Sequence, residues 1–303
     1  MSLFGRLSGA GRDPEEQKHR LRQRERDQAW ETALAHGTVP EFVKERLENT
    51  KAGRLPWVST GSVGALVAQK THGIEPVGMV SGNCWYHYGY SWTRGHYDGW
   101  HTAIDRMQRE AALLEANAVV DVQLKVRRLE GAGADQMDYG VFGTAVRIGG
   151  LAPAQAPVVA TVSALEFARL LESGILPVGL AIGAHFDWCY TYRNAGGFGT
   201  WWNQELSFLS QFMNGVRRTA LSQLASDGAR MGTGVLARVQ FSELIHAESP
   251  ENDPRERFLG HHIAFGTAVL HEPRHHAPLG VRAVFSAKDG KMTPVAATNE
   301  EII

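Results

Sequence analysis

Apolar residues along this 303-residue chain recur at helical spacing in two long windows. Ile104, Met107, Ala111 and Leu114 form one stripe, and Leu206, Leu209, Met213, Val216, Ala220 and Leu224 form the other. Each stripe predicts a long helix with one buried face. Shorter apolar runs flank them and read as strands: IEPVGMVSG, AVVDVQLKV and DYGVFGTAVRI in the first half, and ILPVGLAIG, GVLARVQFSEL and GHHIAFGTAVLHE in the second. A short helix opens each set. Ser163 precedes one of them with Glu166 three residues on, the spacing of a capping box, whereas the matching Ser62 lacks the acid. Both short helices are expected to stop at a glycine, Gly73 and Gly174, where a left-handed turn costs little. Gly78, Gly82, Gly179 and Gly183 inside strand patterns predict bulges or close backbone approach.

The two sets are related. From Pro56, PWVSTGSVGALVAQKTHGIEPVGMVSG aligns without a gap on PVVATVSALEFARLLESGILPVGLAIG from Pro157, and 10 of 27 positions are identical at a constant offset of 101. GTAV occurs at 143–146 and again at 266–269. A repeat of this length sets the domain count before any site is considered. The predicted organisation is a charged helical extension over 1–50, a first repeat over 51–149, a linker over 150–157, a second repeat over 158–285 and a polar tail over 286–303. The predicted fold class is α+β: two tandem sandwich domains, each a small sheet with a long packed helix.

The extension changes the picture at the N-terminus. RDPEEQKHRLRQRERDQAWETALAHG is polar on every face until Trp30 and Leu34, with its acids first and its arginines after, as a helix dipole favours. Such a helix is either a solvated extension or an arm that docks a protein partner. VPEFVKERLEN, with Phe42, Val43 and Leu47, is a short amphipathic helix.

Composition narrows the function classes. Hydrophobic residues at 43% and charged residues at 21% describe a globular chain, and a net charge of −1 gives no reason to expect nucleic acid or a membrane surface. No apolar run approaches a membrane span, and MSLFGRLSGAGRD lacks the apolar core of a signal peptide. The two cysteines, Cys84 and Cys189, form no CxxC pair. A cytoplasmic location is expected.

The order PVG-x-V-x-G, aromatic stretch, long helix, ANAVV-x-V and GTAV resembles the YbjQ-like family. The resemblance is strongest over 76–148, with ANAVVDV at 116–122 and GTAV at 143, and weaker over 177–270, where GTGVL replaces ANAVV. That family is described as heavy-metal-binding domains of unknown function. The resemblance implies a small α+β domain and ring-like, commonly pentameric, homo-oligomers; it implies no activity and no ligand residues.

Candidate chemistry is sparse. Among 13 histidines, His271 and His275 are separated by Pro273 and cannot share a helical face, while His261 and His262 would point to opposite sides of a strand. If a divalent metal binds, the residue types favour Cys84, His87 and His96 in the first repeat, and His185 and Cys189 in the second. NAGGFG at 194–199 lacks the Lys-Ser/Thr of a phosphate loop. Asp98, Asp105, Glu110 and Asp187 read as ordinary surface carboxylates. No catalytic residue or cofactor is assigned. The aromatic stretches are more specific. Trp85, Tyr86, Tyr88, Tyr90 and Trp92 in one repeat are answered by Trp188, Tyr190, Tyr192, Trp201 and Trp202 in the other. Tryptophan and tyrosine suit surfaces that are buried yet need polar tips, as at subunit contacts. The sequence therefore favours a non-enzymatic, self-assembling protein, with a metal-binding or metal-trafficking module as the alternative.

Overall fold

The structure, a computed structural model, describes residues 14–56, 58–61, 72–87, 92–128, 136–192, 206–233, 235–248, 255–271, 283–285 and 292–294. The described residues fall into two compact units that divide between Leu270 and His271. The second holds the two-stranded pairing of β8 (Ala283–Phe285) with β9 (Met292–Pro294). All other elements belong to the first.

The chain opens with α1 (Pro14–His36), polar as expected and burying only Ala33, and α2 (Glu41–Lys51), which buries Val43 and Leu47. Trp30 and Phe42 meet edge to face at 5.9 Å and join the two helices. The short helix expected after Ser62 lies outside the described residues. Strand β1 (Ile74–His87), helix α3 (Trp92–Leu113), β2 (Ala118–Arg128) and β3 (Gln136–Ile148) follow. Next come β4 (Val158–Val159), α4 (Ala164–Glu172), β5 (Leu176–Tyr192), α5 (Ser207–Arg230), β6 (Val235–Glu248) and β7 (Arg255–Leu270).

One sheet has the order β1-β3-β2-β4 and the other β5-β7-β6. The three long strands of each pair antiparallel in the same order, and both outer pairs slip register at matched points. The slips fall between Pro76 and Gly78, Pro177 and Gly179, Val120 and Gln123, and Ala237 and Gln240. Asp121 and Arg238, inside the latter two, take left-handed backbone angles of 53° and 49°. Gly174 ends α4 as predicted, with φ of 72°; Gly73 has φ of 69°, and the helix expected before it lies outside the described residues. The capping box also forms, with Glu166 N donating to Ser163 Oγ at 3.2 Å and Ser163 N to Glu166 Oε2 at 2.7 Å.

Gly82 and Gly183 set the helix-on-sheet contact. A Cβ at Gly82 would overlap the Ala103 carbonyl and stand 2.7 Å from Met107 N; one at Gly183 would overlap the Ala220 carbonyl and the Leu224 amide. Backbone therefore touches backbone where each long helix crosses its strand. The result is layered. Helix α3 lies on the first sheet, the second sheet covers the other side of α3, and α5 covers the far face of the second sheet.

Two features depart from the sequence reading. The described parts of the aromatic stretches, which follow the predicted strands IEPVGMVSG and ILPVGLAIG, are themselves regular structure: β1 runs to His87, α3 begins at Trp92, and β5 continues to Tyr192. Gly99 explains part of this, because its bare backbone lets the Tyr139 ring lie flush on α3, where a Cβ would stand 2.6 Å from Tyr139 Cδ2. The second departure concerns residues 158–172. They precede the second sheet in sequence, yet Ala160, Val162, Ala164, Phe167 and Ala168 pack with Ile74, Ala118, Val120 and Val146 on the first. Strand β4 pairs parallel to β2, with Ala118 opposite Val158 and Val119 opposite Val159.

Threonines fasten these leading segments. Thr60 N donates to Thr144 Oγ1 at 2.8 Å, and Thr161 N donates to Thr267 Oγ1 at 2.8 Å. Both acceptors are the threonines of the GTAV motifs. Thr267→Val keeps the shape but strands the buried Thr161 amide, so a loss of about 1–3 kcal/mol is expected in urea unfolding.

Candidate functional site

The most polar part of the core sits where α3 meets the second sheet. His96 is fully buried on α3, and its Nδ1 lies 2.6 Å from Tyr139 Oη. Trp100 Nε1 donates to His96 Nε2 at 3.2 Å, and His261 Nε2 reaches the same atom at 3.2 Å. With two donors converging on it, His96 Nε2 carries the lone pair, so Nδ1–H donates to Tyr139. Phe186 stacks on His261 at 4.3 Å and meets His96 edge-on at 4.5 Å. Burial holds both histidines neutral: His96 is pushed well below the usual imidazole range, and His261 is pushed down to about 3. This is a recognition seam between two segments of the fold, and its rings are fixed by their neighbours rather than free for proton transfer.

Each long helix also carries one buried carboxylate aimed at its strand. Glu110 accepts from Ser81 N at 3.0 Å and faces Arg46 at 3.3 Å. Asp227 accepts from Ile182 N at 2.8 Å and from Tyr97 Oη at 3.1 Å, and is paired with Arg230. Glu110 was expected at the surface; only 6% of it is exposed, and burial pushes its carboxyl up. Its place three residues after Met107 and four before Leu114 puts it beside the apolar stripe of α3, a signal the sequence reading did not use, and its partner amide comes from a strand 29 residues away. Glu110 also lines a cleft of about 350 Å³ between α1 and α3, with Asp105, Arg106 and Arg109. Arg106 donates to Asn83 O, and Arg109 to Gly37 O and Asp105, so the cleft's cations are engaged within the protein.

The residues named for a metal are distributed along the fold. Cys84 is buried against α3, and burial pushes its thiol up; the Cys189 thiol is pushed up the same way, the opposite of a ligand thiolate. His87 ends β1 at the surface, His96 belongs to the seam, and His185 Nδ1 lies 3.3 Å from Thr93 Oγ1. His185 and Cys189 are four residues apart on one strand, about 13 Å. Among the described residues no three His, Cys, Asp or Glu side chains are placed to hold a metal ion. His261 and His262 do face opposite ways, His261 to the seam and His262 toward Phe241.

The aromatic residues divide. Trp85 is 62% exposed and Tyr190 56% exposed, while Tyr86 and Trp188 lie partly buried against the core. Trp92 begins α3 and Tyr192 ends β5. Tyr88, Tyr90, Trp201, Trp202 and the NAGGFG segment lie outside the described residues.

Known proteins supply two points of comparison. A relative of 28% identity over 193 residues, covering 56% of this chain and 71% of its own length, is the encapsulin nanocompartment protein of Mycobacterium tuberculosis. No solved structure matches the chain with significance. No helix among the described residues is long and apolar enough to cross a membrane. The YbjQ-like family model, described as "Putative heavy-metal-binding", matches residues 90–149, the stretch from α3 to the end of β3 that carries the seam's His96 and Tyr139.

Proposed function

We propose that this protein is a non-enzymatic building block that assembles with copies of itself into a closed ring or shell in the cytoplasm. In this reading both halves are YbjQ-like units, 51–149 and 158–285, joined by 150–157, and the family resemblance makes a five-fold ring the first symmetry to test. The observation that carries it is the contact inside the chain. The second sheet lays its outer face on α3, the helix of the first sheet, in a head-to-tail contact whose two sides differ. Contacts of that kind propagate until the rotation closes a ring. The name of the Mycobacterium tuberculosis relative, a nanocompartment protein, supports the same reading. Exposed Trp85 and Tyr190 supply aromatic contact surface of the type that subunit interfaces use. Light scattering on the purified protein should give a mass several times 33.3 kDa at micromolar concentration; a 33.3 kDa particle at all concentrations rules assembly out.

The second reading, a metal-binding or metal-trafficking module, is favoured by the family description alone. Cys84, His87, His96, His185 and Cys189 are its candidates; His87, exposed at the end of β1, is placed for a site completed by a second subunit, whereas His96 and Cys84 are buried within the fold. Elemental analysis after purification without chelator should find close to one ion per chain; well under one removes it. The α1 helix, which buries little of its own surface, is on this proposal free to dock a protein partner.

A further inference from the structure

The junction within the chain leaves its complement unused. Inside the chain, residues 158–162 add to the outer edge of β2: Val158 N donates to Asn117 O at 3.0 Å and Ala160 N to Val119 O at 2.8 Å. Asp121 N and Val122 N return the bonds to Val162 O and Ala160 O, at 2.9 and 3.2 Å. The matched edge on the second sheet is β6. Val235 opposes Val269 as Ala118 opposes Val146, so Leu236 stands where Val119 stands and Arg238 where Asp121 stands. Among the described residues, β6 pairs only with β7. The matched segment for that edge is 58–61, offset by 101 from 159–162. It is held ready in the same way, by Thr144 in place of Thr267. Yet Val58, the counterpart of buried Val159, is 58% exposed.

A second mismatch agrees. Ile182, Ala184 and Phe186 on the outer face of the second sheet are buried under α3. Their counterparts on the first sheet, Ser81, Asn83 and Trp85, include the exposed tryptophan. The edge is also continuous with the existing junction, where Thr161 Oγ1 donates to Arg238 O at 3.4 Å. Ala237 packs into the apolar cluster of Ala160 and Phe167, and Arg238 pairs with Glu166 at 2.5 Å. An open strand edge beside exposed apolar residues is a site for another strand.

We infer that residues 58–61 of one copy pair in parallel with the β6 edge of a second copy, repeating between chains the β4–β2 pairing within the chain. Ser59 N donates to Leu236 O, Arg238 N donates to Gly61 O, and Val58 lies beside Leu236. This rests on the assembly reading above and names its contact. Neighbouring strands are about 4.8 Å apart, inside the roughly 4.4–6.8 Å that a disulfide tolerates between Cα atoms. The doubly substituted Val58→Cys, Leu236→Cys protein should therefore form an oxidised ladder of dimers and higher species on a non-reducing gel, while each single variant does not. Val58→Lys, at an exposed position, should leave the far-ultraviolet dichroism and melting of the monomer unchanged and reduce the particle to 33.3 kDa. A wild-type protein that is multimeric, with no ladder from the double variant, overturns this junction while leaving assembly intact. Retention of the full particle by Val58→Lys does the same. A wild-type monomer removes both.

Discussion

Gly183→Val is expected to be among the most damaging single changes in this chain, and Gly82→Val its close equal. At Gly183 any Cβ meets the Ala220 carbonyl and the Leu224 amide, which are helix backbone and cannot rotate away. Leu224 Cβ at 2.8 Å closes the remaining side. Relief requires α5 to lift off the second sheet, opening the packing of Ala181, Leu224, Ala264 and Ala268. Overpacking that a rotamer change can absorb costs about 1–3 kcal/mol. Here nothing can absorb it, so a loss above about 4 kcal/mol is expected, in the range that unfolds an ordinary domain. Guanidinium titrations of Gly82→Val, Gly183→Val and the control Gly215→Val, whose added carbon meets nothing, check this. Similar midpoints for Gly183→Val and Gly215→Val would show that the helix is not seated where Gly183 places it.

The second large effect is a loss of stability in mild acid. An unfolded histidine titrates near 6.5, whereas His261 in the fold titrates at about 3 and His96 well below its usual value. Between those limits the unfolded chain binds protons that the folded chain refuses. Stability is therefore complete above about pH 7 and falls as the pH drops from 6.5 toward 3. Each histidine contributes a slope of up to about 1.4 kcal/mol per pH unit in that window. The cause is geometric. His261 Nδ1 is buried with no acceptor among the described residues, and a proton on His96 Nε2 would face the Trp100 and His261 donors. Tyr139, Trp100 and Phe186 pack around the pair, and none of them is an anion that could receive the charge. Urea midpoints at pH 8, 6.5, 5.5 and 4.5 should decline steeply for the wild type and more gently for His96→Phe with His261→Phe. Parallel declines would place the acid sensitivity elsewhere.

Local features of this fold are legible in the sequence because neighbouring residues decide them. Ser163 and Glu166 announce their capping box, Gly174 ends its helix, and Gly82 and Gly183 mark close approach. The family resemblance is readable for the same reason, since ANAVVDV and GTAV are contiguous. What escapes is set by distance along the chain. His96 and His261 are 165 residues apart, and nothing near either names the other. The extent of α3 is hidden because Gly95 and Gly99 weaken a helix in isolation; Tyr139, forty residues on, makes Gly99 useful. Glu110 and Asp227 each stand three residues after a buried stripe position, Met107 and Leu224, but the strand amides they accept from are supplied only by the finished fold.

The placement of residues 158–172 on the first sheet bears on how the chain comes off the ribosome. When Ile148 has been made, β1, β2 and β3 are complete, yet among the described residues the partners that cover Ile74, Val120 and Val146 include Phe167 and Ala168, which are still to come. At about 5–20 residues per second that interval is roughly one to four seconds. During it the nascent chain shows an apolar sheet face and a free β2 edge to its surroundings. A second nascent chain on the same message carries the same covering segment, so crowded translation offers an exchange of residues 158–172 between copies.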